Sequence, residues 1–266
     1  MLSLLRVLCI AAVALNFPST NFAQQMQSDP TAITIATRSL TAMGAAAPTT
    51  LVDSRAVGVL TMYFDSPVQM PITLESEGLT RTRVALQQPT GTSIRVLNSG
   101  QAAFQNPDGT VRQLTEVNLF AERVGHIPAM SLLTEIQNPA ALVEFVSSAQ
   151  ANGTPDNVIA VSLGQSTIPG QADIQKSISR TLFYINQASG LVDRVQYTRF
   201  SEAPHPGIPI QVEQSFSDYR NVGGNLVPFH NTTRCDGIIE SDLQLNSISF
   251  NVGVPASDFT LPASQQ

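Results

Sequence analysis

Three histidines, two cysteines and a few paired carboxylates are the residues of this chain with which chemistry could be done. Their spacing argues against each kind in turn. His126, His205 and His230 stand singly, with no second ligand at metal-binding spacing beside any of them. His126 falls at a helix end, His205 lies between Pro204 and Pro206 in a loop, and His230 sits on a strand that also carries Arg234. No serine lies in a nucleophile elbow, so a Ser-His-Asp hydrolase would have to assemble residues from afar. Glu75 with Glu77, and Glu240 with Asp242, each put two carboxylates on one strand face, as a glycosidase pair would require. An ordinary solvated strand face has the same spacing. Gly164-Gln165-Ser166 has no following lysine and Gly223-Gly224 falls in a hairpin turn, so neither is a phosphate loop. Asn152-Gly153-Thr154 and Asn231-Thr232-Thr233 match a glycosylation acceptor, and a turn and a strand explain them equally well. No catalytic residue, metal or cofactor is expected, and the chain reads as a non-enzyme.

The amino terminus is more informative. Residues 1–23 read as a secretory signal: Arg6 and the terminal amine supply charge, Val7 to Leu15 form an apolar core, and Pro18 and Ser19 break it. That core is shorter than the roughly 20 residues a membrane span needs. Cleavage after Ala23 leaves 243 residues, read as a single domain over 24–266, with Cys235 as the only remaining cysteine. No intramolecular disulfide is then available, and Cys235 reads as an inert thiol. Cys9 follows Arg6-Val7-Leu8 instead of small residues, which excludes a lipoprotein signal. The expected location is periplasmic or secreted. Loss of Arg6 moves the formal charge from −6 to −7, so nucleic acid and anionic headgroups are poor electrostatic partners.

Hydrophobic periodicity supplies the elements that must position any site. Asp29-Pro30 is a helix start and Gly44 its stop, with Ile33, Ala36, Leu40 and Met43 on one stripe. Strands follow over 55–64, 70–77, 80–87, 93–97 and 101–106, and after the Asn106-Pro107-Asp108-Gly109 turn over 111–114. The period then changes to helical. Val117, Phe120, Ala121 and Val124 mark one helix, a second runs over about 129–137, and Leu142, Val143, Phe145 and Val146 continue as a third to about Ala149. Strand pattern returns over 158–163 and again from Leu182. Val195 and Tyr197 share a face, and Ile210, Val212 and Phe216 alternate against Gln211, Glu213, Ser215 and Ser217. Runs over 226–234 and 238–250 complete a second meander. In the last, Leu243 and Leu245 change parity to Ile248 and Phe250, which predicts a bulge near Asn246-Ser247. Apolar strand faces must be buried, and the helices between the meanders are the nearest cover. The fold class expected is α+β: a strongly curved antiparallel sheet, an open half-barrel, whose concave face is covered by an N-terminal helix and a central helical block.

The wording of the last third resembles a known superfamily. Leu182-Phe183-Tyr184-Ile185-Asn186 with Gly190-Leu191-Val192, then Phe216 to Gly224 with Leu226-Val227-Pro228-Phe229, and the closing Asp258-Phe259-Thr260-Leu261-Pro262, are similar to LolA-like sequences. That superfamily includes the outer-membrane lipoprotein carrier and a sigma-factor regulatory sensor. The match covers residues 180 to 262, with the N-terminal half alike only in its order of elements. The resemblance implies an apolar cavity that takes acyl chains, closed by an arginine bonded to a helical lid. No motif places that arginine here, and Arg81 and Arg83 read as solvent-facing strand residues.

The expected function is an exported binding protein for a lipid or lipoprotein acyl chain. Candidate lining residues are Ile72, Leu74, Val84 and Leu86 from the first meander, Phe120 and Leu132 from the helices, and Val195, Tyr197, Ile210 and Val212 from the second. Apolar walls suffice for such a ligand, since acyl burial contributes about 0.8 kcal/mol per CH₂, on the order of 10 kcal/mol for about 14 carbons before ordering costs. The alternative is an envelope interaction or sensing module with a filled core, in which Phe120, Leu132, Leu133 and Phe145 pack as interior. Its partner would be an envelope protein meeting a sheet edge or the loop from Ser201 to Pro209.

Overall fold

The computed structural model of the chain describes residues 28–45, 51–78, 80–122, 125–151, 154–164, 170–202 and 205–263. The expected leader and the Asn152-Gly153 turn lie outside the described residues. Helix α1 (Pro30–Ala42) starts as its sequence dictates: Asp29 caps it by accepting from the Thr31 amide at 2.8 Å, with proline in the first turn. It ends at Gly44, which takes a φ of +81° and lies so close to the second meander that a Cβ there would sit 2.3 Å from the Gly224 carbonyl oxygen. The buried stripe is Ala32, Ala36, Leu40 and Met43, while Ile33 is 38% exposed, so the stripe is rotated from the one expected.

Six strands form the first meander: β1 (Asp53–Tyr63), β2 (Pro67–Glu77), β3 (Arg81–Gln88), β4 (Gly91–Asn98), β5 (Gln101–Gln105) and β6 (Val111–Gln113). Helices α2 (Glu116–Glu122) and α3 (Pro128–Gln137) follow, then β7 (Ala141–Ala151), β8 (Thr154–Leu163) and a helix absent from the sequence reading, α4 (Ala172–Ile178). The second meander is β9 (Thr181–Asn186), β10 (Val192–Phe200), β11 (Pro209–Val222), β12 (Asn225–Cys235) and β13 (Ile238–Phe250). The third central helix is therefore wrong, and the register shows why. β7 pairs with β8 throughout, with a shift between Phe145 and Ser147. That irregularity at Val146 breaks the alternation and imitates helical spacing.

All thirteen strands belong to one antiparallel sheet in the order β6-β5-β4-β3-β2-β1-β13-β12-β11-β10-β9-β8-β7. Each meander is built of sequential neighbours, and the β1–β13 pair joins them. The sheet is open, since β6 and β7 are its edges. It is also curved. β4 and β10 stand seven strands apart, which in a flat sheet is roughly 34 Å, yet Arg95 of β4 and Tyr197 of β10 line one cavity. Part of the bend is visible at the β1–β13 seam: Val57 pairs with Ser247 and Gly58 with Leu245, which leaves Asn246 as an extra residue. The bulge thus lies where the parity change put it.

The two halves of the concave face are covered differently. Over β7 to β11, α1 and α3 pack into a solid core with Val143, Ile159, Phe183, Val195 and Phe216. Over β1, β2, β12 and β13 the core is thinner, built on Ala56, Ile72, Phe229, Leu243 and Leu245. On the opposite face of β4 the chain's end closes a third, small core, in which Phe259 meets Val96 and Val254.

Candidate functional site

Between the first-meander half of the concave face and the helices lies a cavity of about 400 Å³. Its floor is Ala56 and Leu60 of β1, Ile72 and Leu74 of β2, and Val84 and Leu86 of β3, brought together by cross-strand register: Ala56 opposes Leu74, Leu74 opposes Val84, and Ile72 opposes Leu86. The roof is Ala121 of α2, the 125–127 segment, and Met130 and Ser131 of α3. Helix α2 is only seven residues long, too short to hold itself by propensity. Asn118 fixes it: its amide donates to the Phe200 carbonyl at 2.9 Å and accepts from the Phe200 amide at 2.8 Å, which pins the helix to the end of β10. Gly125 donates to Ser131 Oγ at 2.9 Å, fastening the connecting segment to α3.

The cavity has a polar side formed by β10 to β13. Arg199 donates to Glu240 Oε1 at 2.7 Å and to Cys235 Sγ at 3.3 Å. Burial raises the Glu240 carboxyl, but the hydrogen bonds and charge of Arg199 outweigh it and hold Glu240 below its usual range. Burial pushes the Cys235 thiol up to about 11, so it stays protonated and poorly nucleophilic at neutral pH. Burial also raises the Tyr197 phenol, which remains neutral. On the opposite side Arg95 donates to Glu122 of α2 at 3.0 Å, an ion pair that ties β4 to the roof. Burial, with Arg95 nearby, depresses His126 to about 4. The ring is therefore neutral at pH 7.

Of the residues expected at a ligand site, Ile72, Leu74, Val84, Leu86 and Tyr197 are on the cavity wall. Leu132 and Val195 are in the solid core beneath α1 and α3. Phe120 lies elsewhere, beside Leu114, Leu163 and Leu261. Val212 is 1% exposed and Ile210 half-buried, neither of them on this wall. Arg81 pairs with Glu77 at 2.8 Å, and Arg83, expected to face solvent, is largely buried against Glu75 at 2.9 Å. Neither contacts the helical roof through these pairs, whereas Arg95 does. Gln214 on the cavity wall was missed, although it carried a signal: it is a polar residue at the apolar parity of β11, between Val212 and Phe216.

A Ser-His-Asp cluster also forms from distant residues, on the convex face. Ser217 Oγ lies 2.9 Å from His230 Nδ1, and His230 Nε2 lies 2.7 Å from Asp242 Oδ2. The ring is turned the opposite way from a hydrolase triad, in which Nε2 serves the serine, and the cavity is on the other side of the sheet. His205 is in an exposed loop. Among the described residues, no three His, Cys, Asp or Glu side chains are grouped to hold a metal ion.

Solved structures share this fold. A DUF1329 family protein from Desulfovibrio piger superposes with a TM-score of 0.60 at 11% identity, over 90% of this chain and 100% of that one. A domain assigned to outer membrane lipoprotein sorting, from Vibrio parahaemolyticus, gives 0.58 at 11% identity over 86% and 95%. A LolA superfamily protein from Nitrosomonas europaea gives 0.54 at 11% identity over 86% and 97%. The chain has the LolA-like fold. The likeness spans 86 to 90% of the sequence, so the resemblance confined to residues 180 to 262 was too narrow. The LolA-like architecture includes the first meander, whose sequence carries no recognisable wording. No family model matches the sequence, and no curated protein matches it.

Proposed function

We propose that this protein is an exported, non-enzymatic binding protein of the cell envelope that holds an alkyl or acyl chain between the concave sheet and the α2–α3 roof. The observation that carries the reading is the cavity of about 400 Å³ floored by Ile72, Leu74, Val84 and Leu86. Its volume falls within the roughly 300–1,000 Å³ of small-molecule sites. The apolar floor of such a cavity gains little from water and much from a hydrocarbon. The fold it shares with a lipoprotein-sorting domain and a LolA superfamily protein agrees with the reading. The signal pattern of residues 1–23 supports export. No helix of the described residues is long and apolar enough to cross a membrane. In this reading the Arg95–Glu122 pair serves as the contact between strand and lid that the LolA-like resemblance implies.

The test is native mass spectrometry of gently purified protein, with organic extraction of what it carries. Co-purified lipid, or uptake of added fatty probes, is expected. Protein that is consistently empty and takes up none of the probes would sink the proposal. Fractionation of cells expressing the whole chain tests export: a shortened product in the envelope fraction is expected, and a full-length cytoplasmic product would contradict it.

A further inference from the structure

β11 presents Val212, Gln214 and Phe216 to the concave side, all three buried. Gln214 is 5% exposed and lines the cavity, and its Oε1 has no hydrogen-bond partner. A buried oxygen left without a donor costs about 1–3 kcal/mol. The position is unfavourable unless something in the cavity supplies the donor.

A complementary group stands nearby. Gln214 pairs across the sheet with Thr233, and Asn231 lies two residues along β12 on the same face. Such diagonal neighbours are roughly 7–8 Å apart. Asn231 Nδ2 lies 3.3 Å from His126 Nδ1; with the amide in this orientation it donates to the neutral ring, whose proton is then on Nε2. His126 also lines the cavity. One region of the wall thus offers an acceptor from Gln214 and a donor from His126. Asn231 Oδ1 too is buried without a partner, so this region holds two acceptors that lack a donor.

The charges on the wall disfavour an anionic headgroup, with Glu75 shared between Arg83 and the outlying Arg55. Each arginine there already faces a carboxylate: Arg83 with Glu75 at 2.9 Å, Arg95 with Glu122 at 3.0 Å, and Arg199 with Glu240 at 2.7 Å. A carboxylate or phosphate arriving in the cavity would be desolvated without a free cation.

We infer, building on the alkyl-binding reading, that Gln214 selects ligands whose polar end is uncharged and donates a hydrogen bond, a hydroxyl or a primary amide on an alkyl chain. Esters lack the donor and carboxylates bring an uncompensated charge. The ligand class is thereby narrowed from lipids in general to fatty alcohols, fatty amides and acylglycerols with a free hydroxyl.

The experiment is displacement of a fluorescent alkyl probe at neutral pH by dodecanol, dodecanamide, methyl dodecanoate and dodecanoate. It is run on the purified protein and on Gln214→Met, which keeps the side-chain volume and removes the acceptor. In the native protein the alcohol and amide are expected to bind about tenfold more tightly than the methyl ester, the worth of one well-placed buried hydrogen bond, with the anion weakest. Gln214→Met should bring the alcohol to the level of the ester and leave the ester unchanged. Gln214→Glu, which retains an acceptor, should keep alcohol ahead of ester, and thermal melts of both variants establish that they fold. Equal binding of alcohol and ester by the native protein, or an unchanged preference in folded Gln214→Met, overturns the inference while the alkyl-binding reading stands. Failure of all four compounds to bind overturns both.

Discussion

The sheet treats its two concave halves in opposite ways. Over β7 to β9 and the adjoining stretches of β10 and β11 at Val195 and Phe216 the helices fill the space, and Phe183, Leu132, Ile159 and Val195 have no solvent-accessible surface. Over β1 to β3 the same alternation of apolar side chains stops short of its cover and leaves about 400 Å³. Strand pattern is alike in both halves. What differs is the reach of the helices: α1 is drawn against the second meander by Gly44, whose approach to Gly224 admits no side chain, and by the Leu226 amide, which donates to the Met43 carbonyl at 3.0 Å. One helix committed to one side leaves α2 and the end of α3 to roof the other. A hollow in this fold follows from where a helix is anchored, more than from any special lining residue.

Truncation separates the halves most sharply. Phe183→Ala in the filled half is expected to cost about 3–5 kcal/mol, because a close-packed neighbourhood cannot collapse into the space. Leu86→Ala in the hollow half should cost only about 1–2 kcal/mol, since its side chain already faces a void and little beyond the transfer free energy is lost. Urea unfolding of both variants makes the comparison, and equal losses would mean that the cavity is closed in solution.

Protonation offers a second contrast, of somewhat smaller size. The folded His126 ring takes a proton only near pH 4, against 6.5 for an unperturbed histidine. Between those values the unfolded chain binds more protons than the folded one, so stability is full above about 6.5 and falls as pH drops toward 4. The loss is at most about 3 kcal/mol, and less to the degree that the ring meets water. His126→Gln should flatten this slope in unfolding curves measured across the window, while Leu132→Ala in the filled half lowers stability and leaves the slope in place.

Much of this contrast was hidden in the sequence. The strands were legible because each meander alternates cleanly and its turns are marked by Gly, Asn and Asp; β13 was placed at Ile238–Phe250 and its bulge at Asn246. Helix α1 was legible from Asp29, Pro30 and Gly44. β7 was not, since the register shift at Val146 turned alternation into a helix-like spacing. The candidate site was half legible: Ile72, Leu74, Val84 and Leu86 follow from parity alone, but parity is the same for a lining residue and a core residue. Leu132 and Val195 differ from Leu74 and Val84 only in what lies above them, which is a matter of helix placement. The Ser217, His230 and Asp242 cluster was invisible for a related reason, because it depends on three strands meeting in one register.

Filling the hollow should affect binding while sparing stability. Val84→Phe adds volume toward open space, so its effect on unfolding is expected to stay within about 1 kcal/mol, below the usual 1–3 kcal/mol of overpacking a dense core. The same variant should lose most of its uptake of alkyl probes. A Phe at Val195, in the filled half, should show the reverse: lower stability, with binding retained where the protein still folds.

The smallest effect is expected on the convex side. Ser217 is exposed, and removing its hydroxyl takes away a single hydrogen bond to His230 from a solvated face. Ser217→Ala should therefore change stability by no more than about 0.5 kcal/mol and leave alkyl binding as it was. If instead the native protein hydrolysed p-nitrophenyl esters and Ser217→Ala abolished that activity, the cluster would be a reaction centre and the concave cavity would no longer be the molecule's main site. The inverted imidazole argues for the first outcome. With Nδ1 toward the serine and Nε2 held by Asp242, the ring spans three strands as part of a polar ladder, and such cross-strand contacts contribute a few tenths of a kcal/mol to about 1 kcal/mol to sheet pairing.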